Sequence, residues 1–234
     1  MKDALALITF ALALAFAAAP VLTEGFRGFT PGQFPVPSDR WPVVPAGWAF
    51  AIWGVIYLWL VAGAAWGLVR ARTAPAWQAM RAPLCLSLAI GVPWIWVANL
   101  QPAAAAVMLV FMAATAIAAF LKAPSGPWAA WPVGLYAGWL SAATAVAFGV
   151  VLPGQGVLAP HSATFAALAG LLGAALLVTW RRSDVPSYAA AVLWALWGVI
   201  VANMTAGDLP VSFAAALGMV ALITVSILRR REMQ

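Results

Sequence analysis

Groups able to do acid–base, nucleophilic or metal chemistry are few and scattered along this chain of 234 residues. The one histidine, His161, follows the stretch "LPGQGVLAP", and the one cysteine, Cys85, lies inside an apolar run. The six carboxylates are Asp3, Glu24, Asp39, Asp184, Asp208 and Glu232, each in a predicted loop or at a predicted helix end. With no second histidine and no acid or nucleophile placed beside a base, an enzyme has little to work with, and neither a disulfide framework nor a metal motif can be drawn. His161 keeps two readings: a solvated residue at a helix start, or a ligand to the metal of a haem or chlorin. Aromatic groups, in contrast, are abundant. Val43 to Trp66, "VVPAGWAFAIWGVIYLWLVAGAAW", holds four of the fourteen tryptophans. Their chemistry is stacking, worth about 0.5–1.5 kcal/mol per pair beyond area burial, and it suits a flat apolar ligand.

The elements that must position these rings are membrane helices. Hydrophobic residues make up 65% of the chain and charged ones only 8%, with a mean hydropathy of +0.98, far from a soluble domain. Cutting at charges, prolines and Gly/Pro clusters leaves eight segments near the length of about 20 residues that a spanning helix needs. Their limits are roughly 4–22, 46–69, 82–100, 103–121, 128–151, 162–180, 187–205 and 209–228. The turn "NLQPAAA" is short enough to predict a helical hairpin between the third and fourth.

Charge placement tests the count. Eight spans put Lys2, Arg70, Arg72, Arg81, Lys122, Arg181, Arg182, Arg229, Arg230 and Arg231 on one side, leaving only Arg27 and Arg40 of the twelve basic residues on the other. Cytoplasmic loops collect Lys and Arg, so both termini are expected in the cytoplasm. The net charge of +6 then reflects orientation and calls for no nucleic-acid partner; anionic lipid is the partner it suits. The opening "MKDALALITFALALAFAAAP" also has the look of a signal peptide, but Pro20 directly after the Ala-x-Ala ending argues for a retained first helix. No predicted span holds a charge at its centre, which disfavours an ion-coupled transporter.

Residues 23–45 form the one long connection, opposite the basic side. From Glu24 to Pro45, five prolines and three glycines prevent regular structure, while Phe26, Phe29, Phe34 and Trp41 give it apolar groups to bury. It is either a structured connector or a lid, with Phe34 and Trp41 as the lid residues. Trp41, Trp77, Trp128, Trp131 and Trp180 suit anchoring at the interfaces, whereas Trp53, Trp59, Trp94, Trp96, Trp139, Trp194 and Trp197 lie deeper. At 100° per residue the second span carries Phe50, Trp53 and Tyr57 on one face, with Trp48, Trp59 and Trp66 nearly opposite. The fifth span groups Trp128, Tyr136, Trp139 and Ala143, while Gly134, Gly138 and Ser141 make a small-residue face for close packing, internal or between copies.

Pro45-Ala46-Gly47-Trp48-Ala49-Phe50, followed by Trp53 and Tyr57, resembles the P-P-G-W-x-F…W-x-x-x-Y opening of the second helix in the TspO/translocator family, the tryptophan-rich sensory proteins. Trp139, Ser141, Ala143 and Thr144 of "GWLSAAT" are similar to the W-x-S-x-A-T of its fifth helix. The resemblance covers about residues 1–151, a five-helix core; 152–234 adds three helices, as in longer bacterial members. The Trp48–Trp53 interval is one residue shorter than in short members. Gly91 and Pro93 stand where a third-helix Asn is expected, and Ala147 where the fifth helix has Asn.

The resemblance implies an all-α polytopic bundle whose cavity, covered by the first loop, takes tetrapyrroles (haem or protoporphyrin IX), sterols or other flat hydrophobic molecules. Carried over residue by residue, it makes Trp48, Trp53, Tyr57, Trp139 and Ala143 the pocket candidates, with Trp94 and Trp96; Tyr136 joins them from its place on the fifth span. Each could equally serve helix packing. The expected function is ligand binding with a sensory, regulatory or carrier role in a bacterial cytoplasmic membrane, not catalysis. An assembly subunit packing on a membrane partner, on pigments or on its own copy, and a passive lipid or pigment carrier, are the alternatives.

Overall fold

The computed structural model describes residues 2–23, 25, 26 and 28–232, and the side chains of Lys2 and Asp3 are outside that description. Glu24 and Arg27, which the charge argument places in the long loop, lie outside the described residues. Among the described residues the regular structure is entirely helical. The α-helices are α1 (Lys2–Leu22), α2 (Ile52–Arg70), α3 (Pro75–Gly91), α4 (Trp94–Leu100), α5 (Pro102–Lys122), α6 (Ala130–Gly154), α7 (Pro160–Arg181), α8 (Ser187–Thr205) and α9 (Leu209–Arg231). Eight spans of 19 to 26 residues are long and apolar enough to cross a membrane, α3 and α4 together forming the third. In hydrocarbon each backbone polar group must be paired within its own segment, so such runs can only be helices.

The spans end where sequence chemistry ends them. Pro93 interrupts the third span between α3 and α4, and Gln101 alone separates α4 from α5, which starts on Pro102, so the predicted hairpin is there. The third span begins at Pro75 rather than near 82. Arg81 had marked a cut, yet it lies buried inside α3. Its guanidinium donates to the carbonyls of Gly67 and Arg72, each at 2.8 Å, and of Ala71 at 3.2 Å, and lies over the Trp77 ring. It thereby gives a second donor to carbonyls at and just beyond the C-terminus of α2, where a cation is also favoured by the helix dipole.

α6 is the centre of the bundle, packed against α2, α5, α7 and α8. Its small-residue face answers the internal-or-between-copies question. A Cβ on Gly138 would meet the Tyr188 carbonyl oxygen of α8 at 2.3 Å, and one on Gly134 would meet Ser187 Oγ at 2.3 Å. Close approach of α6 to α8 therefore requires glycine at both positions, and this face is used inside one chain. The tyrosine hydroxyls here are paired: Tyr188 lies 2.9 Å from Ser141 Oγ, and Tyr136 2.9 Å from Ser87 Oγ on α3. Each serine hydrogen already goes to a carbonyl, Ala137 for Ser141 and Met112 for Ser87, so the tyrosines donate. α8 is thus part of the same core as the first five spans.

Candidate functional site: an aromatic cavity under a tethered loop

The loop leading into α2 follows the rim of the bundle opposite its basic end. Among its described residues only two short 3-10 turns, Pro31–Gln33 and Gly47–Ala51, interrupt it. Gln33 Nε2 donates to the carbonyls of Ala98 and Asn99 at the end of α4, both at 3.0 Å. The Val36 amide donates to the Gly154 carbonyl of α6 at 2.9 Å, and Phe34 fills the space that a Cβ on Gly154 would take. On the far side the Ala46 amide donates to the Gly198 carbonyl at 3.0 Å. Buried Asn203 donates to the Pro42 carbonyl at 2.7 Å and accepts a hydrogen bond from Arg40. Arg40 also reaches Asp208 at 3.4 Å. The loop is tied to α4, α6 and α8 around its course, as a closed lid would be.

Beneath it lies a cavity of about 710 Å³. Two runs of rings in edge contact surround it. On the loop, Trp41 meets Phe34, Phe34 meets Phe29, Phe29 meets Phe26, and Phe26 meets Trp94 of α4 at 4.9 Å between centroids. Deeper, Phe50 and Trp53 both meet Trp139 edge-on, at 5.9 and 6.1 Å, and Phe16 meets Trp53 and Tyr57. Trp53 and Tyr57 stack at 5.2 Å and 15°. One turn of α2 sets that stack, because residues four apart lie on the same face. Gly91 makes room for Phe16: a Cβ there would lie 2.6 Å from its ring. An aromatic edge thus occupies the place where the family resemblance leads one to expect an asparagine.

The charged groups of the wall, Asp39 and Arg40, lie toward the loop, beside Asn203. Trp94 uses its indole N–H inside the protein, donating to the Ala105 carbonyl at 3.0 Å. Trp41 and Trp139, 7% and 3% exposed, have indole nitrogens with no hydrogen-bond partner.

Of the residues singled out from the sequence, Trp53, Tyr57, Trp94, Trp139, Ala143 and Trp41 line the cavity. Phe34 sits behind Trp41 against α6. Tyr136 lies fully buried behind the wall, its hydroxyl on Ser87 and its ring against Phe16. Trp48 and Trp96 do not reach the cavity. Trp96 is 63% exposed on the outside of the bundle, since two residues along a helix from Trp94 is close to half a turn. Trp48 is 42% exposed and rests edge-on against Trp194 of α8 at 4.9 Å. Trp41 and Trp77, read as interface anchors, are instead buried. Trp77 packs onto Gly67, where a Cβ would lie 2.3 Å from its ring.

Sequence reading missed Phe16, Phe50, Arg40 and Asn203 as wall residues. A lone Phe in an Ala/Leu-rich span was the available sign for Phe16; Phe50 shared the wheel face of Trp53 and Tyr57. His161 is outside the wall. Its imidazole has its side chain 57% exposed and Nε2 2.9 Å from Asp208, and it is not among the residues that line the cavity. Asp208 is itself buried, between His161 and Arg40.

A family model described as TSPO-like protein matches residues 4–228. No curated protein and no solved structure matches the chain significantly. The match reaches all eight spans, further than the two motifs, which lie within the first five. An all-helical membrane bundle, aromatic clusters beneath a long first loop and a match over nearly the whole chain give one conclusion: the chain belongs to the TSPO-like protein family.

Proposed function

We propose that this membrane protein binds a flat hydrophobic molecule, a tetrapyrrole such as protoporphyrin IX or haem, in the cavity beneath the lid, and that occupancy serves a sensory, regulatory or carrier role. The observation that carries the reading is the enclosure of about 710 Å³ by two connected runs of aromatic rings. That volume lies within the range of about 300–1,000 Å³ typical of small-molecule sites. The wall offers ring faces and edges to a planar guest and few charges, so shape and stacking carry its recognition. Binding rather than catalysis is the proposal, because the charged groups of the wall, Asp39 and Arg40, are neighbours at the mouth with no nucleophile placed against them. The GxxxG-type face packs on α8, which takes from the assembly-subunit alternative the motif that best suited it. Ten of twelve basic residues fall on the side opposite the lid, which supports a bacterial cytoplasmic membrane with both termini inside and the lid outward.

Quenching of tryptophan fluorescence by protoporphyrin IX, haem and a sterol, corrected for inner-filter absorption, tests the reading. Saturable quenching at micromolar porphyrin, weakened in Trp139→Ala while the fold persists, is the expected result. Absence of saturable binding by all three would remove it.

A further inference from the structure

The unpartnered indoles say more about the guest than its shape. Four buried side-chain polar atoms among the described residues have no hydrogen-bond partner: Nε1 of Trp41 and Trp139, Thr179 Oγ1 and Ser187 Oγ. The two hydroxyls belong to residues near the basic ends of α7 and α8. The two indoles both belong to the cavity wall, Trp41 from the lid and Trp139 from mid-α6. An indole nitrogen is a donor only, so nothing but an acceptor atom can satisfy it, and a buried donor left unpaired loses its hydration without return. Chance does not favour this location, because the other wall tryptophan whose nitrogen is held, Trp94, gives its proton to Ala105 within the protein. Near Trp41 the wall also carries Arg40, a further donor at the same end of the cavity; the amide hydrogens of Asn203 beside it already go to the Pro42 and Val199 carbonyls.

We infer that the cavity selects a planar guest carrying oxygen acceptors, carbonyl or carboxylate, which pair with the indole N–H groups of Trp41 and Trp139 as the guest settles among the rings. The inference rests on the ligand-cavity reading and narrows it. Both nitrogens are covered in this structure, so pairing requires each ring to tilt toward the space that it already lines. A purely hydrocarbon guest of the same shape strands both donors. Arg40 adds charge assistance for a carboxylate at the mouth, set against the nearby carboxylates Asp39 and Asp208; the acceptor itself, charged or not, is the required feature.

Three porphyrins that share one macrocycle separate the contributions: protoporphyrin IX with two carboxylates, its dimethyl ester with uncharged carbonyl acceptors, and etioporphyrin with no oxygen. Affinities in detergent are measured for the wild-type chain and for Trp41→Phe, Trp139→Phe and Trp94→Phe. The acid and the ester should each lose roughly two- to tenfold more than etioporphyrin in at least one of the first two variants, the worth of one net hydrogen bond. Trp94→Phe is the control for lost ring area, since its nitrogen is already engaged, and should shift all three guests alike. Equal factors for all three porphyrins in both Trp41→Phe and Trp139→Phe would overturn the inference and leave the aromatic pocket standing. Failure of every porphyrin to bind the wild type would remove the pocket reading, and the inference with it.

Discussion

Asn203 provides a way to measure how firmly the C-terminal helices hold the lid. It is fully buried on α8, and its side chain joins the loop at two points, donating to the Pro42 carbonyl at 2.7 Å and accepting from Arg40. Asn203→Leu keeps the volume and removes both bonds. The Pro42 bond, neutral and buried, contributes about 1 kcal/mol. The Arg40 bond is charge-assisted, but the Arg40 side chain is 43% exposed and can rehydrate, so its share falls to about 1–2 kcal/mol. A total of about 2–3 kcal/mol raises the population of lid-open molecules roughly 30- to 150-fold. The amides of Val44, bonded to Trp41, and of Ala46, bonded to Gly198, report that opening. Hydrogen exchange at these two sites should accelerate by the same factor, while core amides of α6 remain as protected as before. Unchanged exchange at Val44 and Ala46 would refute the reasoning and show that the remaining contacts, to α4, α6, Gly198 and Asp208, hold the loop shut.

Further predictions concern the scaffold. Gly138→Ala should lower stability by about 1–3 kcal/mol because its Cβ would meet the Tyr188 carbonyl at 2.3 Å, whereas Gly170→Ala on α7, with nothing within 4 Å, should be neutral or slightly stabilising; thermal melts in one detergent compare them. Arg81→Met should cost about 3 kcal/mol by removing three charge-assisted hydrogen bonds from the carbonyls of Gly67, Ala71 and Arg72, each of which keeps one other donor, read as a fall in Tm and faster exchange at the end of α2. Ser87→Ala and Tyr136→Phe each remove the same 2.9 Å bond, so their double mutant should be more stable than the sum of the single losses implies, by about 1 kcal/mol in a double-mutant cycle.

Much of this architecture is legible in the sequence because the bilayer constrains it so strongly. Apolar runs of spanning length, with Pro102 and Pro160 at the starts of two of them, mark the spans, and the basic residues sort them by side. The early start of the third span was hidden because Arg81 looks like a loop residue until its carbonyl partners are seen, and those come from another helix. The cavity wall was partly legible. The helical wheel put Phe50, Trp53 and Tyr57 together and Trp48 opposite, and the wall contains the first three and not the fourth. For Trp48 the local geometry, not the motif carried over from the family, matches where the side chain stands. The phase of the chain also changes there, since Gly47–Ala51 is a 3-10 turn. Contributions from distant segments left no periodic signal. Phe16 reaches the wall from α1, Arg40 from the loop and Asn203 from α8, and only tertiary packing brings them together.

Filling the cavity tests most directly that a guest occupies it. Ala143 lines the wall one turn beyond Trp139, and Ala143→Phe would place a ring where the guest is proposed to lie without removing any aromatic group. Ala104→Phe, on the exposed face of α5, adds the same bulk outside the bundle. Binding of protoporphyrin IX, followed by its absorbance change in detergent, should weaken at least about tenfold in Ala143→Phe, the loss of roughly 1.4 kcal/mol or more, at an unaltered melting temperature, and should stay at the wild-type level in Ala104→Phe. Wild-type affinity in a folded Ala143→Phe protein would contradict the account, because the porphyrin would then bind somewhere other than this cavity.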